Sequence, residues 1–298
     1  PDHDTRYEIA ADYMTLMYKL WEGSWEDDAV VYDRSAGVFA HPEKVHRVSH
    51  QGEYFQLDAI HLCEPSPQRT PVIFQAGSSS KGQAFAAAHA ECVFIAAPDI
   101  PSTRTTVDNL RRATAAAGRN PSDLKIFALL AVVPDETDVA ARARLADYRQ
   151  YVLPEGALAL MSGWSGADLA QLGLDDRAED VSSQAIQSAM KGLGSRTVRE
   201  WGEALAVGGA ANVIAGSADT VADELERWMV ETGVDGFNLA YTVLPECFEN
   251  FVDLVIPELQ KRGRVKTRYN PGSLRNKLFN SGDRLASPHP AVAFRRSS

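Results

Sequence analysis

The sequence has only three cysteines in 298 residues, Cys63, Cys92 and Cys247, and no C-x-x-C pair. An odd, scattered set excludes a disulfide framework, a zinc ribbon and a redox dithiol, and fits a reducing cytoplasm. No run of about 18 uncharged apolar residues occurs, so no membrane-spanning helix is expected. The opening PDHDTRYE is polar and charged and does not read as a signal peptide. Basic residues are in the minority: 30 Lys+Arg against 40 Asp+Glu give a net charge of −10. No dense basic block precedes the tail, so nucleic acid is not the expected partner. Repeats at periods of roughly 20–50 residues are lacking, which excludes solenoids and propellers. What remains, 45% apolar and 23% charged, is the composition of an ordinary globular chain.

The chain alternates short apolar runs with helical patterns. Pro71–Ala76 is apolar and β-branched and stops at Gly77, and an Ala-rich helical stretch follows to about Ala90. Cys92–Ala97 is stopped by Pro98, and a helix over Val107–Ala117 ends at Gly118. Leu124–Val133 is stopped by Pro134, with a helix over about Glu136–Tyr151. Val234–Tyr241 reads as a further buried strand, followed by a helix over about Glu246–Arg262 that Gly263 ends. Continuous apolar strands between helices predict an α/β fold with a parallel sheet covered on both faces. An open doubly wound sheet and a (β/α)8 barrel both satisfy that pattern. Four β/α units are countable. Residues 23–68 form a charged insertion with a polar hairpin over Val45–Leu62, and residues 153–211 a Gly-rich, helical excursion. The first helix carries a capping box, Thr5-x-x-Glu8, and an apolar face of Tyr7, Ala10, Ala11, Met14, Met17, Tyr18 and Trp21. A strand should precede it in a β/α protein and none does, so the chain reads as cut at its start.

The strongest local signal is Gln75-Ala-Gly-Ser-Ser-Ser-Lys-Gly82, where a buried strand ends and a helix begins. Backbone N–H groups and hydroxyls at the positive end of a helix dipole suit a phosphate, although a capped turn of small residues gives the same pattern. Gln83 stands where a Walker lysine must be, and G-x-G-x-x-G is missing. His3 and Tyr7 lie four apart across a helix N-terminus and could reach an anion there; a frayed His3 and a core Tyr7 are the plainer alternative. Among His41, Glu43, His46 and His50, the pair His46-x-x-x-His50 would suit a metal if helical, but it sits in a hairpin and no H-E-x-x-H spacing occurs, so no metal site is assigned. Gly163-Trp-Ser-Gly166 misses the nucleophile-elbow spacing by one residue. Asp175-Asp176 and Glu179-Asp180 read as solvated loop charges. Asp235 and Asn238 could face a barrel mouth or belong to a strand-entry turn. The basic tail, from Arg262 through Arg275 and Arg284 to Arg296, is expected to wrap the surface or a partner subunit.

Taken in order, several segments resemble one family. They are His3-Asp-Thr-Arg-Tyr7, Val45-His46, His50-x-Gly52-x-x-Phe55, Gln68-x-x-Pro71-Val, Gln75-Ala-Gly-Ser-Ser79-x-x-Gly82, Val221–Leu225, Val234–Asn238 and Pro257–Gly263. The set is similar to the nitrilotriacetate monooxygenase component A group, which includes dibenzothiophene-sulfone monooxygenase, a branch of the bacterial luciferase-like flavin monooxygenases. The resemblance implies a TIM-type (β/α)8 barrel, here its C-terminal half as a single domain over 1–298. Insertions would lie at about 23–68 and 153–211, with an extended tail over 264–298. It implies a two-component enzyme that takes reduced FMN from a separate NAD(P)H-dependent flavin reductase and oxygenates a small organic or xenobiotic substrate with O2. A homo-oligomer in the cytoplasm is expected. The family's phosphate-binding residues fall here on His3, Tyr7, Ser78, Ser79 and Ser80. The matching segments assign no catalytic residue. A non-catalytic flavin- or phosphate-binding subunit and a deazaflavin-dependent oxidoreductase of the same fold remain as alternatives.

Overall fold

The computed structural model describes residues 3–77, 79–165, 168–177, 197–209 and 211–296. In chain order it holds α1 (His3–Gly23), β1 (Val30–Asp33), β2 (Val38–Ala40), β3 (Val48–Gln51), β4 (Gln56–Ala59), β5 (Phe74–Ala76), α2 (Ser80–His89), β6 (Cys92–Ile95) and α3 (Ile100–Ala116). β7 (Lys125–Pro134), α4 (Asp138–Arg149) and α5 (Pro154–Ser165) follow, then helix Val198–Ala206, β8 (Asn212–Gly216), helix Ala218–Thr232 and β9 (Gly236–Ala240). Two units divide the chain: one of residues 1–94, 106–126 and 269–298, the other of 95–105 and 127–268.

In the first unit, α1 buries Met14 and Tyr18 against Leu285 and Ala291 of the tail, with Ile73 and Phe85 packed beside them. That is the face the 3–4 spacing predicts. The capping box is corrected, however: α1 already begins at His3, so Thr5 lies inside its first turn rather than at its cap. Parallel pairing joins β5 to β6 from Phe74↔Cys92 to Ala76↔Phe94. The predicted polar hairpin is β3–β4, in antiparallel register from Val48↔Ala59 to Gln51↔Gln56. Asp12 of α1 pins its turn: the carboxylate accepts from the backbone N–H of Tyr54 at 2.8 Å and Phe55 at 3.0 Å, and lies 2.7 Å from His50 Nε2. Those bonds, led by the Tyr54 N–H, hold the Asp12 carboxyl below its usual pKa. A Cβ at Gly52 would overlap the same carboxylate, which is why the turn needs glycine. A second hairpin, β1–β2, was not legible among the charged residues of the insertion.

From Tyr269 on, the basic tail packs within this unit, whereas Arg262 pairs with Asp219, Asp223 and Glu258 of the second. Arg275 is 2% exposed and grips Glu91 with Nε–Oε1 at 2.7 Å and Nη2–Oε2 at 2.9 Å. It also donates to the backbone carbonyls of Thr70 and Asp283. Arg284 and Arg295 meet the buried Glu22 carboxylate at 3.2 and 3.3 Å.

In the second unit, the ten-residue β7 pairs in parallel with both β8 (Leu130↔Asn212 to Pro134↔Gly216) and β9 (Phe127↔Gly236 to Ala131↔Ala240). Its Leu130 and Val132 pack on Val221, Leu225 and Trp228 of helix Ala218–Thr232. Ser217 caps that helix through the Thr220 N–H, and Gly233 ends it in the left-handed conformation at φ 75°. β8 was not expected from sequence: five residues between Gly208-Gly209 and Ser217 give too short an apolar run to stand out. The last predicted helix is interrupted. Glu246–Asn250 and Ile256–Lys261 flank a π turn over Phe251–Val255, immediately before Pro257, which has no N–H to donate to the preceding turn. Within the 153–211 excursion, the described residues include the helices Pro154–Ser165 and Val198–Ala206 and a 3-10 turn at Leu169–Gln171, with non-helical turns over 172–177. Leu158 of α5 packs on Leu169, Val198 and Trp201, and Thr197 with Glu200 forms a capping box.

Candidate functional site

At the end of β5 the chain passes Gly77 and enters α2 with Ser79 as its N-cap. The Ser79 hydroxyl oxygen accepts the Gly82 N–H at 3.1 Å, which satisfies one of the exposed donors of the first turn. α1 brings Tyr7 onto the same turn. A Cβ added to Gly82 would stand 2.7 Å from Tyr7 Oη and 3.1 Å from Ser79 Oγ; one added to Gly77 would stand 3.1 Å from Tyr7 Oη. The Tyr7 hydroxyl therefore occupies a space that only glycines leave open, and its ring leans on Phe85 with centroids 5.7 Å apart. Lys81 Nζ lies 3.9 Å from Asp4 across the two helix starts. Gln75 donates its Nε2 to the Ala76 carbonyl at 3.1 Å, while its Oε1 is buried without a partner among the described residues. The result is two positively poled helix ends, hydroxyls and an open acceptor around a glycine-lined turn, an arrangement suited to an oxyanion with hydroxyl groups beside it.

Of the five residues singled out by sequence, the structure brings Tyr7, Ser79 and Ser80 together. Ser80 is the exposed first residue of α2. The His3 backbone opens α1 and its side chain is not described; Ser78 lies outside the described residues. Three histidines of the insertion are taken up by a carboxylate: His46 Nε2 lies 2.7 Å from Glu26, His50 Nε2 2.7 Å from Asp12, and His41 Nδ1 3.5 Å from Glu43, while His61 Nδ1 lies 3.0 Å from the Cys63 carbonyl oxygen. Among the described residues no three His, Cys, Asp or Glu side chains form a metal-binding group. Asp175 faces Arg199 at 3.4 Å and Asp176 closes a turn on the Gly173 N–H; Glu179 and Asp180 lie outside the described residues. Asn238 lies within β9 opposite Leu129, and Asp235 just before the strand.

Sequence reasoning missed a cavity of about 580 Å³ in the second unit, whose lining includes Tyr148, Tyr151, Leu160, Met161, Val207 and Val243. Among the described residues no charged one lines it. Thr242 Oγ1 is buried there without a partner among the described residues. Its walls come from three distant segments, so no local pattern announces it.

Residues 1–236 match the family model of luciferase-like monooxygenases, and the chain belongs to that family. Its parallel strands and helices are those of the family's TIM-type α/β barrel, as the solved structures establish. The crystal structure of DmoA from Hyphomicrobium sulfonivorans matches at a TM-score of 0.90 and 47% identity, over 99% of this chain and 64% of that one. A riboflavin lyase, RcaE, solved with modified FMN and riboflavin as substrate, matches at 0.87 and 31% identity, over 100% of this chain and 67% of that one. Among curated proteins, the chain is 47% identical to the dimethyl-sulfide monooxygenase of Hyphomicrobium sulfonivorans, over 98% of this chain and 62% of that protein. It is 33% identical to nitrilotriacetate monooxygenase component A of Aminobacter aminovorans, over 98% and 65% respectively. The chain thus spans less than two thirds of the length of these curated relatives.

Proposed function

We propose that this chain holds the phosphate of FMN at the paired starts of α1 and α2 and serves a two-component, FMN-dependent monooxygenase. The observation that carries the reading is the Tyr7 hydroxyl lodged between Gly77 and Gly82, beside the Ser79 cap. A phosphate dianion there meets hydroxyl donors from Tyr7, Ser79 and Ser80 and the positive ends of two helices. His3 and Ser78 complete the set that the family resemblance suggests. The open Gln75 Oε1 is an acceptor, which suits the hydroxyl-bearing chain between phosphate and flavin ring. Reduced FMN, when bound, supplies the two electrons with which one atom of O2 enters the substrate and the other leaves as water. The protein's share is to anchor the phosphate, fix the group's position and keep water away. The cavity of the second unit, with no charged residue in its lining among the described residues, supports a small, uncharged organic substrate rather than a polycarboxylate. On this reading reduced FMN arrives from a separate NAD(P)H-dependent reductase, and the enzyme is a cytoplasmic homo-oligomer. Consistent with that, no helix among the described residues is long and apolar enough to cross a membrane.

Titration by flavin fluorescence quenching tests the proposal. Tyr7→Phe and Ser79→Ala should each weaken FMN binding by roughly 1–3 kcal/mol, the cost of stranding a phosphate hydrogen bond. Unchanged affinity in both variants, or tighter binding of a deazaflavin than of FMN, would overturn it.

A further inference from the structure

We propose that the first unit carries a second anion site, for a small phosphate-type dianion, in a cavity lined by Arg119, Lys125 and Arg284. The cavity, about 310 Å³, lies at the starts of β6 and β7. The Ser79 turn follows the end of β5, so within this unit the two places are at opposite ends of the strands.

Arg119 is the key group. Gly118, at φ 78°, ends α3, and the Arg119 N–H turns back to the Thr114 carbonyl at 3.1 Å. The side chain runs inward and is 6% exposed. Among the described residues its guanidinium donates only to backbone carbonyls, those of Ala87 at 2.9 Å and Asp123 at 3.4 Å. A buried cation without a carboxylate on its donors is expensive, and burial accordingly pulls the Arg119 pKa down. Two acids of the same lining, Asp123 and Glu91, offset this only in part, since burial still outweighs them. Glu91 is taken up by the paired contacts from Arg275, and the Asp123 side chain is exposed. Arg284 adds a second open donor. Its terminal nitrogens meet Asp27 and Glu22, whereas its Nε is buried without a partner among the described residues. Lys125 lines the same space, as do Ser122 and Ser281. A guanidinium has five N–H donors and Arg119 spends two, so a dianion in the cavity would collect charge-assisted bonds from two arginines and a lysine.

Isothermal titration of the full chain with inorganic phosphate tests this. Saturable binding is expected. Lys125→Gln should weaken it at least about ten-fold while leaving the thermal midpoint in chloride buffer unchanged, and Arg119→Lys should weaken it as well. The double variant Tyr7→Phe/Ser79→Ala should leave this binding intact, which separates the cavity from the proposed FMN site. No saturable phosphate binding, binding indifferent to Lys125→Gln, or binding lost in the Tyr7/Ser79 variant would each overturn the proposal.

Discussion

A single methyl group is enough to probe the turn after β5. Gly82→Ala would place a carbon 2.7 Å from Tyr7 Oη, closer than real side chains approach, so either Tyr7 or the first turn of α2 must move. We expect a loss of about 1–3 kcal/mol in stability together with weaker FMN binding, read by urea melts and flavin titration. Gly82→Ala combined with Tyr7→Phe should recover part of the stability but none of the binding; recovery of both would show that the hydroxyl contributes nothing to the ligand. Sequence alone identified this turn because small residues between an apolar strand and a helix are a local pattern. It could not show that Tyr7, some 70 residues earlier, reaches the turn. That required the packing of α1 on α2, which the family resemblance anticipated and the residue spacing did not.

The seam between α1 and α2 also sets a pH dependence. His89, the last residue of α2, lies with Nδ1 3.2 Å from the Tyr18 hydroxyl of α1 and is pushed down to about 4 by burial, then by His289 and Arg119. It stays neutral in the folded chain, whereas the unfolded chain takes up a proton below its ordinary 6.5. The stabilising contribution is therefore complete above pH 6.5 and declines as pH falls toward 4, at about 1.4 kcal/mol per unit. His289 is lowered in the same direction, again chiefly by burial. Urea midpoints at pH 7 and pH 5 should differ markedly in the parent chain and less in His89→Gln; equal differences would contradict the assignment. Helices of this kind were legible in the sequence, α1 from its apolar spacing, α2 as an Ala-rich stretch after a strand and α4 as a helical stretch after Pro134. The elements that escaped are the short strands β1, β2 and β8, each dependent on its partner strand for identity, whereas the equally short β5 and β6 sit inside longer apolar runs, Pro71–Ala76 and Cys92–Ala97.

At the scale of the whole molecule, the tail from Tyr269 on packs into the first unit. Arg275→Met would leave the buried Glu91 carboxylate without its cation, at a cost of roughly 3–5 kcal/mol, while adding Glu91→Gln should recover much of it. Urea midpoints of the single and double variants check this; an unaffected single variant would mean the tail does not hold the unit together. Sequence showed the tail as a basic stretch but not its destination, because Glu22, Glu91 and the Thr70 carbonyl it meets lie some 180–270 residues away. The central claim, that the two helix starts hold the phosphate of FMN, is tested most directly by comparing FMN with riboflavin, which lacks only that phosphate. The account predicts that FMN quenches at least about ten-fold lower concentration than riboflavin and that Tyr7→Phe narrows the gap. Equal affinity for the two flavins, unchanged by Tyr7→Phe, would contradict it.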